Sequence, residues 1–320
     1  MTKKERVLAA IHQQPVDYVP SGFSLHFDPS LHGTPAEIAA HLDFFAETDT
    51  DLQKIMNENL VPDFGPVTAP EDWKSLGSFS PNAAFIQNQL EFTKRLLDQS
   101  DPDAYSLGTL HGIVASSIHP IEHRYGYVSV RKLQCEHLRC GKPYLLDAMK
   151  RITDALCNLA EGYARAGVDG LYFASLGGES HYFTDAEFEA YIAPLDIQTM
   201  RAGHEAGLDI FLHCCKDGLV MERYQKYAPF SDVINWGIYE NPKYPLECGR
   251  ELFPGVTLMG GISNAKSGPL HCGTPDQIVG EVQSVLNTMG TDGFILGADC
   301  TLPSDTPYQN IRIAAHATRQ

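Results

Sequence analysis

The chain is expected to fold as a single α/β domain across residues 1–320, a (β/α)8 TIM barrel with a helical extension at its N-terminus. Three features of the sequence lead there. Strand-like and helix-like segments alternate along the chain, and eight strand-like segments are counted. No linker or change of composition divides the 320 residues into two units. Hydrophobic residues make up 43% of the chain, enough to fill a large core with two layers around it. An open, doubly wound sheet is the alternative arrangement of the same alternation.

Residues 2–14 place Val7, Leu8 and Ile11 on one helical face, and Pro15 closes the segment. The first strand is read over residues 18–27. Thr34-Pro35-Ala36-Glu37 supplies an N-cap hydroxyl, a proline at the first helical position and a glutamate at the third, opening a helix over residues 34–47. Residues 51–57 follow as the second strand. Residues 62–80 hold proline, glycine and Trp73 without a period, and read as a long loop over one end of the domain. A helix over 81–100 precedes a third strand at 104–113. Residues 115–146 carry His119, His123, Cys135, His137 and Cys140 without a clear period and read as irregular. From residue 144 the alternation is regular: a helix to 166, a strand at 170–175, a helix capped by Thr184, and a strand at 208–214. Helices at 219–227, at 246–252 and after Thr274 then alternate with strands at 232–236, 256–259 and 293–298.

Asp and Glu outnumber Lys and Arg by 40 to 24, a net charge of −16. That balance excludes nucleic acid and anionic membrane as partners, since both require a basic footprint. No apolar run is long enough to span a membrane, and Val7-Leu8-Ala9-Ala10-Ile11 is too short for the core of a secretory signal. A cytoplasmic location is expected. There, eight cysteines are thiols or metal ligands rather than a disulfide framework.

His213 and Cys215 are two residues apart at the end of the fifth strand, so both face one side while Cys214 faces the other. The bland reading is packing, because a free cysteine behaves as a small buried hydrophobe. A barrel shifts the balance. The C-terminal ends of its strands converge on one mouth, which brings Cys300, after the eighth strand, beside His213 and Cys215. One imidazole and two thiolates make an open zinc site, whose fourth position is free for water or substrate. Such a nearly neutral ion is a weak activator of water, and suits holding a substrate thiol as its thiolate. Thiol alkylation is the expected reaction.

Four segments together resemble the uroporphyrinogen decarboxylase superfamily, and within it the zinc-dependent corrinoid and coenzyme M methyltransferase branch. They are Arg6-Val7-Leu8-Ala9-Ala10-Ile11 running on to Pro15-Val16-Asp17-Tyr18-Val19-Pro20, then Leu212-His213-Cys214-Cys215, then Gly297-Ala298-Asp299-Cys300, and the tail Leu302-Pro303-Ser304-Asp305-Thr306-Pro307-Tyr308-Gln309-Asn310. The resemblance spans nearly the whole chain. It implies a (β/α)8 barrel, zinc held by His213, Cys215 and Cys300, and a thiol such as coenzyme M in the open position. The methyl group would come from methylcobalamin or a corrinoid protein docked at the mouth. Relatives that use methoxylated aromatics or methylamines imply an alternative: a demethylating methyltransferase that passes methyl from a small methoxylated or methylated donor to a corrinoid protein. Decarboxylases of the superfamily carry an arginine motif after the first strand, and Ser21-Gly22-Phe23-Ser24-Leu25-His26-Phe27-Asp28 has no arginine. A decarboxylase-like protein without that activity is the remaining alternative. Glycine is usual after the His-x-Cys of the branch, where this chain has Lys216, and a small residue is usual where it has Asp299. A homodimer is compatible with each of these readings.

Glu179, after the fourth strand, is a candidate for a fourth, displaceable zinc ligand, set against an ordinary solvated carboxylate. His111 and His26, at the ends of the third and first strands, are candidates for substrate contact or proton transfer, with structural hydrogen bonding as the equal alternative. Tyr172, Ser175, Asn57 and Asn235 fall near strand ends and are candidates to line a cofactor or substrate pocket, against the reading that they are barrel core. Cys135-Glu136-His137-Leu138-Arg139-Cys140 is rich in donors and lacks a clear fourth partner.

Overall fold

The computed structural model describes residues 1–319. Its eight parallel strands are β1 (Ser21–Gly22), β2 (Leu52–Ile55), β3 (Tyr105–His111), β4 (Gly170–Ser175), β5 (Asp209–Cys214), β6 (Val233–Trp236), β7 (Thr257–Ile262) and β8 (Phe294–Ala298). They pair in sequence order from β2 to β8, and β8 pairs with β1. Asp51 joins the remaining seam. Its N–H donates to Ser21 O at 3.0 Å, and its carboxylate accepts from Ser21 N–H at 2.9 Å. The sheet is therefore a (β/α)8 barrel, as the alternation of segments predicts.

Around it lie α1 (Lys3–Ile11), α2 (Pro35–Thr48), α3 (Ala84–Leu97), α4 (Ile113–Tyr125), α5 (Tyr127–Arg139), α6 (Tyr144–Ala166), α7 (Asp185–Glu187), α8 (Ala193–Glu205), α9 (Gly249–Leu252), α10 (Pro269–Cys272), α11 (Pro275–Met289) and α12 (Tyr308–Ala317). None of the described helices is long and apolar enough to cross a membrane. The period-two alternation of each strand separates two cores. Leu52, Tyr105, Leu107, Tyr172, Phe211, Val233, Met259 and Ile295 fill the barrel, while Leu171, Phe173, Ile210, Leu212 and Ile234 face the helices. Helix α1 seals the N-terminal end of the barrel. Its Val7, Ala10 and Ile11 join the inner core, and Thr257 Oγ1 donates to Ala10 O at 2.9 Å. A capping box between Thr2 and Glu5 begins this helix.

Several boundaries differ from the sequence reading. The first strand pairs over two residues rather than ten. Pro20 can offer the ladder only its carbonyl, which accepts from Leu296 N–H, and beyond Gly22 the chain leaves the ladder, with an isolated bridge between Leu25 and Leu302. Residues 115–146 are not irregular but belong largely to α4 and α5, with Gly126 turning between them at φ +74°. Helix α4 is buried on nearly every side from Ile113 to Ile118 and contains Pro120, so it shows no amphipathic period. The long loop at 62–80 includes a 3-10 turn, Pro70–Ser75, that buries Trp73 completely. Of residues 219–227, those from Met221 on belong to a 3-10 segment, Met221–Phe230, rather than an α-helix.

Candidate metal centre

The C-terminal end of β5 points His213 into the barrel, and the turn that follows carries Cys215. Cys300 lies just beyond the end of β8. The fold brings the three side chains together: their candidate ligand atoms all lie within 4.8 Å of one another, and the two sulfurs are 3.9 Å apart. Among the described residues this is the one such group of three or more His, Cys, Asp or Glu donors.

The tautomer of His213 is set from the next strand. Asn235 Nδ2 donates to Met259 O at 3.0 Å and to Ala298 O at 3.2 Å, so its amide oxygen must face the imidazole. His213 Nδ1–H then donates to Asn235 Oδ1 at 2.6 Å, leaving the lone pair on Nε2. That Nε2 is buried and has no hydrogen-bond partner among the described residues. A buried acceptor left without a partner beside two thiols is what a metal ion would satisfy, and an outer partner on Nδ1 is the usual support of a metal-binding histidine. The donor set therefore fits a zinc ion. The two thiols share their charge. A hydrogen bond from Cys215 holds Cys300 well below the usual thiol range, and Cys215 is pushed up correspondingly.

Lys54 is a site residue that the sequence reading missed. It lies on the inner face of β2, two residues after Leu52, and that parity was the available signal. Its Nζ is buried 3.6 Å from the centre of the Tyr172 ring and 3.3 Å from Ser24 Oγ. Burial lowers the ammonium to about 8, against the opposing pull of Cys300 and Cys215. Tyr172 also stacks on His213, with ring centres 5.5 Å apart, and its hydroxyl donates to Asn235 Oδ1 at 3.2 Å. Lys54, Tyr172 and Cys300 line a gap of about 20 Å³, room for a single water.

A larger cavity, about 330 Å³, opens on the other side and is lined by His26, Glu58, His111, His119, Cys215 and Lys216 among others. His111 stands in its wall, with its ring perpendicular to that of His119 and 4.9 Å away. Burial holds both imidazoles below their ordinary range, His119 at about 4, so both are neutral near pH 7. His26 sits exposed at the rim, its Nδ1 2.8 Å from Glu58 Oε1.

Four expected site residues are placed elsewhere or act differently. Glu179 is not part of the donor group: its buried carboxylate accepts from Arg131 Nη1 at 2.9 Å and from Gly177 N–H at 2.6 Å. Ser175 points outward by the parity of β4, and its hydroxyl donates to Asp196 Oδ2 at 2.8 Å. Asn235 is committed to His213 and to two strand carbonyls rather than to a pocket. Asn57 likewise turns its amide oxygen to Asn59 N–H. The donor-rich segment on α5 does not gather. His137 Nδ1 accepts from Trp73 Nε1–H, and Cys135 Sγ bonds to Tyr182 O.

Fold and site together define a (β/α)8 barrel protein whose mouth carries an imidazole and two thiols suited to a metal ion. The chain belongs to the uroporphyrinogen decarboxylase (URO-D) family, whose sequence model matches residues 55–320. Among solved structures it is similar to a methyltransferase from Methanosarcina mazei, with a TM-score of 0.77 and 17% identity over 99% of this chain and 98% of the other. It is also similar to a putative vitamin-B12 independent methionine synthase from Listeria monocytogenes (TM-score 0.56, 14% identity, 96% of each chain). A B12-independent methionine synthase from Shewanella sp. W3-18-1 gives a TM-score of 0.53 at 14% identity, over 94% of this chain and 92% of the other. At these identities the likeness is one of fold. No curated protein matches the chain.

Proposed function

We propose that the protein is a zinc-dependent methyltransferase that moves a methyl group between a corrinoid, either methylcobalamin or a corrinoid protein, and a small thiol such as coenzyme M. The observation that carries this reading is the unpartnered Nε2 of His213, aimed at the thiols of Cys215 and Cys300 in the barrel mouth. The family, and the methyltransferase of the same fold from M. mazei, support it. His213 Nε2, Cys215 Sγ and Cys300 Sγ would hold zinc, which when bound supplies a Lewis acid that keeps a thiol deprotonated near pH 7.

The chain's own residues do the rest. Asn235 keeps the proton of His213 on Nδ1 and so keeps Nε2 free as a donor. Lys54, fixed against Tyr172, places a positive charge beside the two sulfurs and offsets the thiolate charge that gathers there. The gap on the Lys54 side admits no more than a water, which leaves the 330 Å³ cavity beside Cys215 as the seat for a small molecule. Neutral His111 and His119 offer that molecule ring nitrogens rather than charge. The absence of arginine between residues 21 and 28 leaves the mouth without the motif that marks tetrapyrrole decarboxylation in the family.

The test follows methylcobalamin by its absorbance in the presence of a panel of thiols. Loss of the methyl-cobalt band only when both enzyme and thiol are present is the expected result. Methylation of cob(I)alamin by a methoxylated or methylated compound would reassign the protein to demethylation of such donors, and inactivity in both assays with zinc-replete protein would refute the reading.

A further inference from the structure

Lys216 stands where the backbone favours glycine. Its φ is +83°, a left-handed conformation that a residue with a Cβ adopts only at a cost. Three hydrogen bonds hold the turn in that shape. Cys215 N–H donates to Ser175 O at 3.0 Å, Asn241 Nδ2 donates to Lys216 O at 3.0 Å, and Ser180 N–H donates to Gly218 O at 2.9 Å. Glycine would occupy the same turn without strain. The lysine side chain makes no ion pair in return. Lys226, Lys243 and Lys266 each lie against a carboxylate, whereas the Lys216 ammonium joins no ion pair among the described residues and lies 5.0 Å from the centre of the Tyr127 ring. It faces instead the cavity that Cys215 lines. Of the carboxylates in that wall, Glu58 is already paired with His26, and Glu122 does not reach ion-pair distance of Lys216.

We infer that Lys216 is a specificity-determining residue, whose ammonium selects a small molecule carrying a carboxylate or sulfonate and seats it beside Cys215. The inference rests on the reading of this mouth as a small-molecule site. A left-handed lysine persists where the surrounding structure enforces it, and strain of this kind gathers at ligand clamps. The ammonium brings three donors and a full charge to a cavity whose two buried imidazoles are neutral. The anionic group belongs either to the thiol or to the methyl donor, and matched probes separate the two.

Calorimetry on zinc-replete protein compares mercaptoethanesulfonate with mercaptoethanol, and methoxybenzoate with methoxybenzamide. In at least one pair the charged member should bind roughly tenfold to a hundredfold more tightly, the range for a hydrogen bond to a charged group. That preference should vanish in Lys216→Gly and Lys216→Gln and persist in Lys216→Arg. The pair in which it appears assigns the anion to the thiol or to the methyl donor. A preference that survives Lys216→Gly, or the absence of any preference in the wild type, overturns the inference. Melting temperature guards against a folding artefact. Lys216→Gly should melt at the wild-type temperature or slightly above it, since the strain is relieved; a clear fall would make Lys216 a structural anchor and also overturn the inference. Methoxybenzoate carries no thiol for a metal to hold, so its pair tests Lys216 even where zinc content and methyl transfer fail.

Discussion

Asn235 shows how much of the site depends on a residue that touches no substrate. Its amide is fixed by the carbonyls of Met259 and Ala298, and through Oδ1 it fixes the tautomer of His213. Asn235→Leu would remove that support and the amide donor that both carbonyls share. The expected consequence is a tenfold to hundredfold loss of zinc affinity, roughly the usual effect of removing an outer partner of a metal ligand, measured by competition with a chromophoric chelator. Unchanged affinity would show that the imidazole needs no such orientation. At this scale the sequence was informative where parity rules apply. It placed His213 inward and Cys214 outward, but the same rule applied to β4 would have sent Ser175 to the helix layer, where its hydroxyl meets Asp196. Glu179 was beyond reach for a different reason. Its partner, Arg131, comes from α5, a helix that the sequence did not disclose.

Among the elements, α2 and β2 set the wall from which Lys54 projects, and His41 links the two. His41 Nδ1–H donates to Glu37 O at 2.9 Å, and its Nε2 accepts from Met56 N–H at 3.3 Å. The bond accepted at Nε2 requires the neutral ring, and burial lowers its pKa from 6.5 to about 4. The unfolded chain therefore binds a proton that the folded chain refuses between those two values, so this residue's contribution is intact above about pH 6.5 and is lost as pH falls toward 4. Urea unfolding over that range should show a steeper loss of stability in the wild type than in His41→Gln, by about one proton. Equal slopes would contradict the assignment. The proline start of α2 was legible because it is a local signal. Helix α4 was not, because burial on many sides erases the 3.6-residue period and Pro120 breaks the pattern further; α5 was not, because its buried face carries Arg131, Gln134 and His137 among the apolar residues.

For the molecule as a whole, the barrel depends on a seam that side chains help to close. Arg6 of α1 bonds Asp51 Oδ1 through Nη1 at 2.7 Å, while Asp51 accepts from Ser21 N–H through its other oxygen. Both side chains are nearly or wholly buried. Arg6→Met would leave the Asp51 charge without its partner, at a cost of about 3–5 kcal/mol, read from the shift in the urea midpoint; a loss below about 1 kcal/mol would mean that the seam is held otherwise. The eight-strand count and the convergence of strands 5 and 8 on one mouth followed from alternation alone, since a barrel turns sequence distance into neighbourhood. The shape of the cavity did not follow. It is built by the segment after β1 and by α4 and α5, where the sequence carries little periodic signal.

The central claim is that His213, Cys215 and Cys300 form a metal centre, and zinc stoichiometry tests it most directly. Protein produced in zinc-replete medium and dialysed should carry about one zinc per chain, the ratio expected of one three-ligand site, and Cys300→Ser should lose most of it while keeping the wild-type far-ultraviolet circular dichroism. Wild-type protein without bound zinc, or a folded Cys300→Ser variant that retains the full complement, would contradict the account.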